Sequence, residues 1–188
     1  SAGAVAYLTS EPARAGRGGT AIEVDDTAAS LMALAGWART QSVGTVVGVT
    51  GSVGKTSTKD LIAAACASEL RTAANERSFN NEQGLPVTIL NAPDDTEVLI
   101  LEMGMRGEGH IAYLVDIAGP DVGVVINVGS AHLGMLGSRE AIARAKGELV
   151  RGLAPDAVAI LNADERGLDY FVKLGDTIYA DVASPAVP

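Results

Sequence analysis

At 188 residues with 47% hydrophobic side chains, the chain has enough apolar material to bury a substantial core and fits one domain with an appendage. Its net charge of −9 argues against a non-specific grip on nucleic acid or anionic membranes, so any polyanion must be bound locally. No apolar run reaches the ~18 residues of a membrane span, no basic-then-apolar leader is visible, and the single cysteine, Cys66, allows no intramolecular disulfide, so a cytoplasmic setting is expected.

In chain order, residues 1–9 read as a strand already under way, which suggests a fragment. A Pro/Gly/Arg-rich turn at 12–19 leads to a short strand at 21–24 and a helix over about 27–39 that Asp26 can cap. Leu31, Leu34, Ala35 and Trp37 fit one face of that helix, so Trp37 is expected to pack rather than to bind a ligand. From Gly44 the rhythm is strand then helix. Strands are predicted at 45–50, 71–75, 97–103, 121–127, 156–162 and 177–180, and helices at 56–69, 84–91, 108–118, 138–152 and 166–173. This alternation predicts an α/β fold, a mostly parallel sheet with helices on both faces, whose ligands gather beyond the carboxyl ends of the strands.

The first of those strand ends reads as a phosphate cradle, since a glycine-rich turn that only joins a strand to a helix would explain the glycines but not the Lys-Thr pair at the helix start. Val46, Val47 and Val49 supply a buried strand, Gly51 and Gly54 permit a tight turn, and Lys55 adds a mobile positive charge at the start of a helix whose dipole points to the same place. Thr56 stands where a hydroxyl ligates nucleotide-bound magnesium. The common pattern G-x-x-x-x-G-K-[ST] requires glycine at 49, where this chain has Val49, and Gly48 lies one residue too early.

The later strand ends carry polar residues with two readings each. Arg77, Ser78, Asn80 and Asn81 precede a proline-started helix, and an Asn-Asn pair before glycine is commonly turn chemistry. Glu102 closes an apolar strand, where an unpaired carboxylate is costly. It needs a cation: Arg106, Lys55 or a magnesium ion. His110 reads as a surface or packing residue. His132 lies in the loop beyond the fourth strand, and a lone histidine is usually structural. Lys146 sits inside a predicted helix, where a lysine is normally solvated, and Asn162 opens an Asn-x-Asp segment that by itself can be a helix cap.

Five ordered motifs, from Thr50-Gly-Ser-Val-Gly-Lys-Thr-Ser57 through Ser78-Phe-Asn-Asn81, Glu102-Met-Gly104, His132 with Ala145-Lys-Gly-Glu148, and Asn162-Ala-Asp164, together resemble the Mur ligases over about residues 45–165. The likeness is greatest to the branch that joins D-alanyl-D-alanine to UDP-N-acetylmuramoyl-tripeptide (UDP-MurNAc-tripeptide). The resemblance implies a P-loop-type ligase that consumes ATP with two Mg2+ ions. A substrate carboxylate attacks the γ-phosphate, giving ADP and an acyl phosphate that the amine of D-Ala-D-Ala then attacks. It implies that Thr50, Gly51, Ser52, Val53, Gly54, Lys55, Thr56 and Ser57 surround the nucleotide, with Asn162 at its base. Arg77, Ser78, Asn80 and Asn81 would face the UDP-MurNAc-peptide. Lys55, Glu102, His132 and Lys146 would be catalytic, and Thr56, Glu102, His132 and a carbamylated Lys146 would hold the metals. Glu165 replaces the Asp common in the family. On the same resemblance, residues 1–42 are the end of an N-terminal substrate domain plus a connecting helix, 43–182 the central ATP-binding domain and 183–188 a linker. The family's C-terminal domain is expected to lie outside these residues, so the isolated chain is expected to bind ATP weakly and not to ligate. A folylpolyglutamate or poly-γ-glutamate type ligase shares the loop and Glu102 but not Ser78-Phe-Asn-Asn81. A P-loop switch protein lacks its guanine motif here. A non-catalytic nucleotide-binding module is the non-enzyme alternative.

Overall fold

Alternation along 46–50 decides the architecture, because successive side chains of a strand point to opposite faces. Val47 and Val49 enter one apolar cluster with Val98, Ile100 and Val124, while Val46 enters the other with Leu99, Leu101 and Met103. Such two-sided burial is the mark of a parallel sheet covered on both faces. The computed structural model describes residues 4–11, 19–41, 44–76, 79–129, 134 and 137–162.

Strands β1 (Ala6–Thr9) and β2 (Thr20–Glu23) pair in parallel as a small separate sheet. Helix α1 (Thr27–Gln41) follows, and Asp26 caps it, its Oδ1 accepting from the backbone N–H groups of Ala28 and Ala29 at 2.8 and 3.0 Å. Then come β3 (Thr45–Thr50), α2 (Lys55–Cys66), β4 (Thr72–Ala74), α3 (Gly84–Asn91) and β5 (Val98–Glu102). The remaining described elements are α4 (His110–Ala118), β6 (Val122–Val125), α5 (Arg139–Arg151) and β7 (Val158–Leu161). The main sheet has the order β4-β5-β3-β6-β7, every pairing parallel. Helix α2 lies on the Val47/Val49 face, and α1, α3, α4 and α5 lie on the other. The predicted α/β architecture is therefore the observed one. The helix at 166–173, the strand at 177–180 and the 183–188 linker fall outside the described residues.

Two expectations for α1 change. Its buried positions are Met32 and Ala35, while Leu34 is 44% and Trp37 62% exposed, so the apolar face is rotated away from the indole. Arg39, on the same side as Met32 and Ala35, fixes that rotation by holding the end of α4 and the residue before β6. Its guanidinium donates to the Ala118 carbonyl at 2.9 Å and pairs with Asp121 at 3.1 Å, and Asp121 in turn accepts from the Val46 N–H at 2.7 Å. This connecting helix thus packs on α3 and α4 and joins the apolar cluster on that face of the main sheet.

Gly48, one residue out of place for the common loop pattern, has a packing role. A Cβ there would lie 3.1 Å from Leu149 Cδ1 and 3.2 Å from Met103 Cε, in the layer between β3 and α5. We expect Gly48→Val to destabilise the fold by about 1–3 kcal/mol through overpacking, read as a lower urea midpoint at unchanged slope. An unaltered midpoint would show that the layer is loose.

Candidate active site

The carboxyl ends of β3, β4, β5 and β6 converge on one side of the sheet, and the polar residues after them meet there. After β3 the chain turns through residues 51–54, with Gly54 at φ 84°, a left-handed conformation natural to glycine, and enters α2. The N–H groups of Gly54, Lys55, Thr56 and Ser57 make no hydrogen bond within the described residues. They are the open donors of a helix N-terminus, an electropositive cup. Lys55 Nζ donates across the turn to the Gly51 carbonyl at 3.0 Å.

This donor set is narrower than the predicted run from 50 to 57. Thr50 is fully buried and its hydroxyl donates to the Met103 carbonyl at 2.9 Å, so its side chain braces β3 against the end of β5. The N–H groups of Ser52 and Val53 donate to Asn127 Oδ1 at 2.9 and 3.1 Å, and Asn127 Nδ2 returns a bond to the Val53 carbonyl at 3.0 Å. Ser52 Oγ accepts from the Gly129 N–H at 2.9 Å. Residues 50–53 therefore fix the loop to its neighbours, and residues 54–57 present its donors.

Beside the cup lies Glu102, 2% exposed. Neither Arg106 nor Lys55 pairs with it, contrary to the salt-bridge alternative. Arg106 pairs with Glu82 at 3.1 Å, which also holds His110 at 2.9 Å, giving that histidine the structural role expected of it. The carboxylate instead accepts from Thr56 Oγ1 at 2.8 Å and Asn80 Nδ2 at 2.6 Å. A buried carboxylate with two neutral donors, and no cation partner among the described residues, is still short of a positive charge. A carboxylate and a hydroxyl at the mouth of an anion cup are the hard oxygen donors that a nucleotide-bound magnesium ion takes, so the residues present fit that ion. No group of three or more His, Cys, Asp or Glu side chains that could hold a metal occurs among the described residues, so the remaining donors would have to be of other kinds.

Lys146 is the largest departure from expectation. It is 1% exposed, not solvated, and the one hydrogen-bond partner of its ammonium among the described residues is Met105 Sδ at 3.9 Å. Burial, and secondarily the charge of Lys55, push its pKa down to about 8. Its neighbour Glu148 caps α4 from outside, accepting from the N–H groups of Gly109 and Ala112 at 2.6 and 3.0 Å.

Of the other predicted positions, Asn80 is brought to Glu102, whereas Asn81 Oδ1 caps the start of α3, accepting from the Gly84 N–H at 2.9 Å. Asn81 thus plays the turn role in this structure. Asn162 follows β7 at the same sheet edge and is exposed. Arg77, Ser78 and His132 lie outside the described residues. Sequence reading missed the structural work of Asn75, Asn127, Lys59 and Glu148. The first two are polar residues at strand ends, a signal that was available.

The chain matches the Mur ligase middle domain over residues 49–182. It is 45% identical over 166 residues to the UDP-N-acetylmuramoyl-tripeptide–D-alanyl-D-alanine ligase of Synechocystis sp., covering 87% of this chain and 36% of that relative. It therefore spans about a third of the relative's length. The MurF ligase from Thermotoga maritima, solved in complex with ADP, superposes with a TM-score of 0.81 at 36% identity, covering 91% of this chain and 40% of that one. E. coli FolC with ADP, at 19% identity and a TM-score of 0.60, covers 80% of this chain and shares the fold alone. The phosphate loop, the buried Glu102 beside it and the match across 49–182 agree, and the chain belongs to the Mur ligase family.

Proposed function

We propose that this chain is the nucleotide-binding part of an ATP-dependent, ADP-forming ligase that joins D-alanyl-D-alanine to a UDP-MurNAc-tripeptide in peptidoglycan precursor synthesis. The observation that carries the reading is the juxtaposition at the start of α2: four open N–H groups at 54–57 with the Thr56–Glu102 pair 2.8 Å across. The N–H groups and Lys55 would hold the phosphates, which are anionic and must approach an anionic carboxylate. Neutralising both is the main task of the protein in such a transfer. Thr56 and Glu102 would hold a magnesium ion, with His132 and Lys146 as candidates for a second; bound there, the metal supplies charge neutralisation on the reacting oxygens. Asn162 would reach the base, and Arg77, Ser78, Asn80 and Asn81 the nucleotide-sugar peptide.

Lys146 fits carbamylation. Its side chain is buried with no carboxylate partner among the described residues, and burial favours the neutral amine that must attack CO2. Attack forms an N–C bond and releases a proton, converting a buried cation into an anionic oxygen donor. A cytoplasmic setting belongs to the same reading. In the described residues no helix is long and apolar enough to cross a membrane.

The test is twofold. Calorimetric titration of the 188-residue chain should show binding of ADP and ATP and none of GTP, and the full-length protein should release ADP only when both UDP-MurNAc-tripeptide and D-Ala-D-Ala are present. ADP release with a folate and glutamate instead would move the protein to the folylpolyglutamate branch.

A further inference from the structure

Asn75 and Lys59 are buried polar residues that supply no ligand to the proposed nucleotide or metal, yet they are bonded to the elements that carry its ligands. Lys59, 3% exposed, lies one helical turn beyond Lys55 on α2. It donates from Nζ to the Asn75 carbonyl at 2.7 Å and pairs with Asp60 at 3.0 Å. Asn75, 2% exposed, follows β4. Its Oδ1 accepts from the Glu102 N–H at 2.8 Å and its Nδ2 donates to the Phe79 carbonyl at 3.2 Å.

These bonds close a circuit. From α2, Lys59 reaches Asn75; Asn75 fixes the backbone of Glu102; and the carboxylate of Glu102 returns to α2 through Thr56. A branch runs from Asn75 to Phe79, next to Asn80, whose amide holds the other carboxylate oxygen. Each element that brings a group to Glu102 is thereby tied to Asn75. A buried ammonium is costly to desolvate, and the bonds of Lys59 to the Asn75 carbonyl and to Asp60 offset that cost.

We infer that Asn75 and Lys59 are positioning residues, which set Glu102 against Thr56 at the spacing a phosphate-bound divalent cation requires. The inference rests on the nucleotide reading above. Partners behind a metal ligand typically change metal affinity by about 10–100-fold when removed.

The experiment is calorimetric titration of the 188-residue chain with ADP, in excess EDTA and in saturating Mg2+, for wild type, Asn75→Ala and Lys59→Met. Lys59→Met keeps the volume of the stem and guards against a variant that does not fold. The wild type should bind ADP in EDTA and more tightly with Mg2+. Each variant should match the wild type in EDTA, while the tightening by Mg2+ falls by about 10-fold or more. Variants that retain the full Mg2+ effect, or that lose affinity equally in both buffers, would overturn the inference and leave the nucleotide reading standing. A wild-type chain that binds no ADP in either buffer would overturn the nucleotide reading itself, and this inference with it.

Discussion

Lys146→Met should make the protein more stable at neutral pH. The ammonium is 1% exposed, has a thioether as its described neighbour, and is pushed from the ordinary 10.5 to about 8. A depression of that size corresponds to about 3 kcal/mol carried against the folded state, at about 1.4 kcal/mol per unit. The folded pKa lies below the unfolded one, so between about pH 8 and 10.5 the unfolded chain binds more protons, and wild-type stability rises with pH across that window. Below pH 8 the burden is fully present. Methionine has a similar stem and no charge, so the variant should gain about 2–3 kcal/mol at pH 7. That advantage should shrink through pH 8 and vanish by about 10.5. Urea unfolding of both proteins in CO2-free buffer at several pH values reads the difference directly. A variant less stable than wild type at pH 7 would mean that the ammonium has a partner that stabilises it.

The same lysine shows where sequence reading stops. The architecture was legible because period-two apolar runs and period-3.6 helices alternate, and the boundaries of the described elements moved by only a few residues. The loop was legible because a turn, a lysine and a hydroxyl in that order have few structural uses. Burial of a charged residue, by contrast, follows from which helix face meets the sheet, and α5 buries both Lys146 and Glu148 among its alanines. Nothing local separates such a lysine from a solvated one, and Lys59 was invisible for the same reason. On α1 the error ran the other way. The apolar pattern admitted Trp37, but Arg39 had two carbonyls and a carboxylate to reach on α4 and the start of β6, and those contacts fixed the rotation. Within the site, the resemblance pointed to Glu102 and Thr56, and the structure places them in contact. It could not show that Asn127 occupies two N–H groups of the loop, because that bond joins residues 74 and 75 positions apart.

Lys55→Met is expected to cost the 188-residue chain about 30-fold or more in ADP affinity. The side chain lies on the helix-start cup with its Nζ within 3.0 Å of the Gly51 carbonyl, across the turn from the open N–H groups. Removing one charge from a closely held ion pair typically costs about 2–5 kcal/mol, and each 1.4 kcal/mol is tenfold in affinity. The substitution carries a second, independent signature. The charge of Lys55 is one cause of the lowered pKa of Lys146, so its loss should raise that pKa above about 8, though not to 10.5, because burial is the larger cause and remains. Lys55→Arg separates the two effects. It keeps the charge and so leaves Lys146 near its wild-type titration, while the planar guanidinium replaces a compact ammonium and should still weaken binding. Calorimetry reads the first effect, and NMR titration of lysine labelled with 13C at Cε reads the second. Wild-type affinity in Lys55→Met would remove the lysine from the phosphate site. An unmoved Lys146 would show that the two ammonium groups do not sense one another, leaving burial alone to account for the depressed pKa.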